Sequence, residues 1–255
     1  MTSPLAKLNI AITRPLAQAE DLAHRIARAG GKTFLFPLLE IAPAADPQAL
    51  LAQVSRLPEF NLAIFISPNA VRYGMEAIRT AKVTLAHLRI AAVGQGSANK
   101  LHEYKVRDVI APQGKADSES LLALPALQDV QGMNVMIFRG DGGRELLGDT
   151  LKARGAIVEY AECYRRIKPQ LDIPLLRTAA PDVISVTSSE ALAHLWDGFD
   201  AQGRNWLAAI PLFVQHERIA ELARQQGWHK VITTAGGDDG LLEGLVAWAI
   251  DRKAT

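Results

Sequence analysis

Cysteine is all but missing from this sequence. Cys163 is the single one in 255 residues, so a disulfide within the chain is excluded and no cysteine cluster can hold a metal. An excess of one charge is missing too: 28 Lys and Arg face 27 Asp and Glu, for a net charge of +1. That argues against the basic face of a nucleic-acid protein and against a polybasic membrane binder. Long apolar runs are absent. The longest are strand-length, far short of the ~20 residues of a membrane helix, and Met1–Arg14 lacks the apolar core of a secretion leader. Together these absences predict a cytoplasmic chain with no membrane and no nucleic-acid partner. The six histidines show no ligand spacing, and no metal is expected. What is present, 49% apolar and 22% charged residues, is enough to build a core.

Short apolar runs alternate with helix-period segments along the whole chain. Strands are expected at Leu8–Thr13, Thr33–Leu35, Leu62–Ile66, Ile90–Val93, Val109–Ala111, Val135–Phe138, Ile157–Tyr160, Val183–Thr187, Leu212–Val214 and Val231–Thr234. Helices are expected at Ala17–Ala29, Asn69–Arg79, Ser97–Tyr104, Glu145–Arg154, Glu190–Trp196, Ile219–Gln226 and Leu241–Ile250. This alternation predicts parallel, doubly wound sheets.

An internal repeat adds more. IAITRPLAQAEDLAHRIARAGG from Ile10 matches VMIFRGDGGRELLGDTLKARGA from Val135, so that Arg14 meets Arg139, Glu20 meets Glu145 and Gly30 meets Gly155. NLAIFISPNAV from Asn61 matches DVISVTSSEAL from Asp182, and Ser67 meets Ser188. Two similar halves are the simplest explanation. Prolines 37, 43 and 169 disfavour helix in two extended stretches at equivalent places. The expected division is a discontinuous domain of residues 1–36 and 169–255, a second domain of 41–160, and connecting strands at 37–40 and 161–168. A single division near residue 130 is the alternative.

Several positions carry candidate chemistry. Ser67, Asn69 and Ala70 follow a strand and open a helix, as do Ser188 and Ser189. Each serine is at least a helix cap, worth ~1 kcal/mol, and the free N–H groups of such an end also suit a carboxylate. Gly94-Gln95-Gly96-Ser97 is an incomplete dinucleotide loop, with Asn99 at the third glycine position. A tight strand-to-helix turn lending N–H groups fits it better. Arg139-Gly140-Asp141-Gly142-Gly143-Arg144 ends a strand, where ligands gather in open α/β sheets. Arg139 and Arg14 either bind ligand there or pair with Glu145 and Glu20.

The motifs Thr13-Arg14-Pro15, Phe65–Val71 (FISPNAV), Ala91–Gly94 (AAVG), RGDGGRELL with CYRR, and Thr187–Leu192 (TSSEAL) stand in this order along nearly the whole chain. In that combination the sequence resembles the uroporphyrinogen-III synthase family, although Val214–Glu217 departs from the family's pattern. The resemblance implies two similar flavodoxin-like lobes with parallel sheets, joined by a two-stranded crossover, with the active site in the cleft between them. It implies a cofactor-free enzyme that closes hydroxymethylbilane to uroporphyrinogen III with inversion of the last ring, in tetrapyrrole biosynthesis. It also implies Tyr164 as the catalytic hydroxyl. Arg14, Ser67, Asn69, Ala70, Gly94, Arg139, Ser188, Ser189 and Gln215 are then the substrate-binding residues. A monomer that receives its substrate from hydroxymethylbilane synthase is expected. The competing readings are a two-lobed binding module for a small anion, and a flavin or nucleotide enzyme.

Overall fold

The computed structural model describes residues 3–142 and 145–254. Contacts divide the chain into two units, Met1–Glu40 with Ile167–Thr255, and Ile41–Arg166. In chain order the first unit opens with β1 (Asn9–Ile12), α1 (Leu16–Arg28) and β2 (Lys32–Leu35). The second unit runs β3 (Glu40–Pro43), α2 (Pro47–Ser55), β4 (Leu62–Phe65), α3 (Pro68–Thr80), β5 (Arg89–Ala92), α4 (Gln95–Glu103), β6 (Val109–Ile110), α5 (Ser118–Leu122), β7 (Asn134–Gly140), α6 (Leu146–Ala153) and β8 (Ile157–Ile167). The chain then completes the first unit with α7 (Ile173–Ala179), β9 (Val183–Val186), α8 (Ser189–Asp197), α9 (Ala201–Ala208), β10 (Leu212–Val214), α10 (Glu217–Gln226), β11 (Val231–Thr233) and α11 (Gly237–Ala254).

Burial explains the elements. Strand β4 is buried at all four positions, as a strand covered by helices on both faces must be. Helix α1 buries Ala19, Leu22 and Ile26, one face at helical spacing. Each unit has its own core on either side of its sheet. Phe65 and Phe138 stack at 4.5 Å inside unit two, and Ile10, Ile12 and Phe213 lie in one core of unit one.

The sheets run β11-β10-β9-β1-β2 and β3-β8-β7-β4-β5-β6. The repeat pairs β1 with β7 and β9 with β4, and β2 and β8 follow the first pair. With β10 and β11 set against β5 and β6 by position in the sheet, the first order becomes β6-β5-β4-β7-β8, which is the second sheet without β3. Unit one has the flavodoxin-like order, and unit two carries the same sheet with its chain entry moved. Gly30 and Gly155, equivalent in the repeat, share a left-handed backbone at φ 88° and 84°, where a helix ends most cheaply on glycine.

Two expected features differ. The stretch 37–40 is not a strand until Glu40, where β3 begins and continues to Pro43 as the sheet edge. Residues 161–167 are not a separate connecting strand. They extend β8, which runs unbroken for 11 residues.

Candidate functional site

In an open α/β sheet the chain order reverses at one point, and ligands bind at the carboxyl ends of the strands there. In unit two that point lies between β4 and β7. Strand β4 delivers Ile66 and Ser67, and β7 delivers Arg139 and Gly140. A cavity of about 470 Å³ opens here, lined by Ile66, Val93, Ile137, Arg139, Gly140, Tyr160 and Tyr164. Ala116, Asp117, Ser118, Asp141 and Arg166 also line it.

Ser67 caps α3, its Oγ accepting from Ala70 N at 3.0 Å. Pro68 stands at the first turn, where its missing N–H costs nothing. Asn69 is half-buried and Ala70 buried in that turn. The Ser67 Oγ also shares a hydrogen bond with the Tyr164 hydroxyl at 3.1 Å. Tyr164 is 3% exposed, stacks on Tyr73 at 6.0 Å and packs against Gly140. A Cβ at Gly140 would stand 2.6 Å from its ring, so the approach needs glycine.

A register shift between Arg139 and Gly140 pairs Gly140 with Tyr164 where regular pairing would reach Cys163. Strict alternation would put Tyr164 on the face of Tyr160. The bulge re-aims it, and Tyr164 packs with Ala161 and Cys163 while Tyr160 packs in the opposite core.

Arg139 is buried and does not stand free. Its Nη1 donates to Glu145 at 3.0 Å, and its guanidinium lies 4.6 Å from the Tyr160 ring centroid. The Tyr160 hydroxyl is buried with no hydrogen bond of ordinary geometry among the described residues. Burial first, and the nearby Glu145 carboxylate second, push its pKa up to about 12. The Tyr160 hydroxyl and then Arg139 hold the Glu145 carboxyl below the usual carboxylate range. Gly143 and Arg144 lie outside the described residues. Cys163 is buried, and burial pushes its thiol up to about 12, so it is no nucleophile.

Gly94 starts α4 in extended backbone. A Cβ there would meet Ala116 at 2.4 Å. Its role is the close approach of the 116–118 loop to the cavity, which glycine spacing alone did not reveal. The remaining candidates gather on the equivalent edge of unit one. Arg14 follows β1 and pairs with Asp238, not with Glu20. Ser188 caps α8, accepting from Ala191 N at 3.1 Å, as Ser67 caps α3. The Ser189 Oγ is buried without a partner among the described residues. Gln215 follows β10, and its side-chain amide donates to Gly237 O at the start of α11, at 2.9 Å.

The sequence reading missed Tyr160, Asp117 and Arg166 as cavity residues. Tyr160 precedes Tyr164 by four on one strand, a signal that was available. Asp117 caps the short helix α5, a capping signal that says nothing of the cavity. No group of three or more His, Cys, Asp or Glu among the described residues could hold a metal ion, and no described helix is long and apolar enough to cross a membrane.

A family model described as uroporphyrinogen-III synthase HemD matches residues 20–243. The uroporphyrinogen-III synthase of Escherichia coli (strain K12) is 36% identical over 245 residues, covering 93% of this chain and 100% of its own. That of Salmonella typhimurium is 35% identical with the same coverage. Among solved structures, a mutant uroporphyrinogen III synthase from Thermus thermophilus aligns with a TM-score of 0.61 at 21% identity, over 96% of this chain and 99% of its own. The Helicobacter pylori 26695 uroporphyrinogen-III synthetase aligns at 0.58 and 15%, over the same shares. At these identities the two structures speak for the fold.

Proposed function

Since the chain belongs to the uroporphyrinogen-III synthase family, we propose that it converts hydroxymethylbilane, a linear tetrapyrrole, into uroporphyrinogen III with loss of water. The observation that carries this is the extent of the match, residues 20–243, which takes in both units and every candidate residue except Arg14. It acts as a cyclising lyase in the cytoplasm.

The substrate is primed to ionise. Its terminal C–O bond breaks with the electron pair on oxygen, pushed by the pyrrole nitrogen, and the oxygen leaves as water after taking a proton. The electrophilic methylene is then attacked through a spiro intermediate that inverts the last ring. One proton leaves a pyrrole carbon, so the net change is one water lost. Such chemistry asks for no metal or redox cofactor. It asks for a flexible chain held so that the wrong carbon attacks first, an orientation effect that can supply several kcal/mol.

The side chains suit that task. Tyr164, positioned by Ser67, Tyr73 and Gly140, donates a hydrogen bond to the departing hydroxyl. Substrate carboxylates are taken at the start of α3 by the N–H of Asn69, beside Ala70, whose own N–H is kept by the Ser67 cap, and by the N–H groups at the start of α8 around Ser189. The first N–H groups of a helix have no partner in its own ladder. Arg14, Arg139, Gly94 and Gln215 complete the binding set. The test is to incubate the protein with freshly made hydroxymethylbilane and resolve type I from type III product. Type III in excess supports the proposal; type I alone, at the unaided rate, defeats it.

A further inference from the structure

The unit-two cavity holds an arginine better supplied with donors than with acceptors. The Arg139 side chain is 6% exposed. A guanidinium carries five N–H donors. Among the described residues Gly140 O accepts from Nε at 3.3 Å and Glu145 from Nη1 at 3.0 Å. The Tyr160 ring packs against the guanidinium, and the high pKa of its buried hydroxyl keeps it a neutral donor. Arg166 lines the same cavity and is exposed.

The acids nearby are not equivalent. Asp117 is engaged by Ser120 N and Lys115. Asp141 accepts from Arg166 N at 3.0 Å. Glu145 is the carboxylate on Arg139, and its side chain is 53% exposed. A partner half in water is held weakly, whereas the buried cation it serves needs a counter-charge at all times. A ligand carboxylate entering the cavity offers that charge with better burial.

We propose that Glu145 is the resting counter-ion of Arg139, and that a carboxylate of the tetrapyrrole replaces it on the guanidinium when substrate binds. The inference rests on the tetrapyrrole reading and adds to it an internal competitor. Glu145 keeps Arg139 aimed while the cavity is empty, and it sets how tightly the substrate is held. It is a positioning residue, acting through Arg139. The equivalent arginine of unit one, Arg14, is also paired with an acid, but Asp238 is only 23% exposed and is the less easily displaced.

The test is Glu145→Gln, which keeps the size and an acceptor oxygen and removes the charge. Its KM for hydroxymethylbilane should fall roughly two- to fivefold, with kcat no higher than wild type. Arg139→Gln should raise KM. In the Arg139→Gln background, Glu145→Gln should leave KM unmoved, because the competition no longer has an object. A merely structural Glu145 would lower the unfolding temperature and kcat without lowering KM. Should the Gln variant not fold, Glu145→Asp, which keeps the charge but shortens the reach to Arg139, should also lower KM. If wild type forms type III product and KM is unchanged or raised in the single variants Glu145→Gln and Glu145→Asp, the counter-ion role is wrong. If wild type forms only type I product, the tetrapyrrole reading itself fails.

Discussion

The Tyr164 hydroxyl is hydrogen-bonded to Ser67, and that decides what its removal should cost. Tyr164→Phe keeps the ring between Tyr73 and Gly140 and loses one hydrogen bond. Stability should change by about 1 kcal/mol or less. Type III formation should slow by roughly 10²-fold, the lower range for acid–base assistance, while released substrate closes unaided to type I. Single-turnover product analysis measures both. A full wild-type rate in the Phe variant would reduce Tyr164 to a packing residue. At this scale the sequence allowed the residue to be named but not its partner, because Ser67 and Tyr164 are 97 positions apart. Arg139 is similar: its pairing with Glu145 lay open in the pattern, six residues away, whereas its burial over Tyr160 depends on packing. Cys163 gives a simpler expectation. With its thiol pushed up to about 12 by burial, it should resist thiol reagents at mildly alkaline pH in the native protein and react promptly once unfolded.

Single elements carry two further expectations. Gly140→Ala would place a methyl 2.6 Å from the Tyr164 ring. The ring must shift, at about 1–3 kcal/mol, and type III formation should fall with it; thermal unfolding and product analysis report the two effects. Ser67→Ala and Ser188→Ala should each cost about 1 kcal/mol of cap. Ser188→Ala should raise KM more than it lowers kcat, since carboxylate contacts serve substrate and transition state alike; Ser67→Ala should lower kcat as well, because it also frees the Tyr164 hydroxyl. Elements also show where pattern reading stopped. The long periodic helices and buried strands were legible. Helices α2, α5, α7 and α9 were not, because they are short and their apolar spacing is sparse. All four nevertheless begin at an aspartate, Asp46, Asp117, Asp172 and Asp200, whose side chain accepts from the helix N–H groups. That capping signal stood in the sequence unused. The bulge in β8 left no such trace, since alternation assumes regular pairing.

The repeat made the similarity of the two units legible across the whole molecule, because equivalent strands kept their turn residues. Each unit has cores of its own. A fragment of residues 41–166 should therefore unfold cooperatively on its own, as followed by circular dichroism against urea; a non-cooperative melt would show that its sheet needs the rest of the chain. Acid should weaken the full chain in a definite direction. Glu145, Glu217 and Asp117 all titrate lower in the fold than their ordinary values, so the native state binds fewer protons than the unfolded one. Their stabilisation is complete above about pH 4.5 and is lost as pH falls through the lowered values. The unfolding temperature should be flat towards neutrality and drop below that range. The discontinuity of unit one also has a consequence during synthesis. Strand β1 pairs with β2 on one side and β9 on the other, and β9 is made only after all of unit two. At roughly 5–20 residues per second, the nascent β1 edge waits on the order of ten to thirty seconds for its second neighbour. Unit two can fold in that interval, and the ribosome-bound chain carries an unpaired strand edge open to other chains.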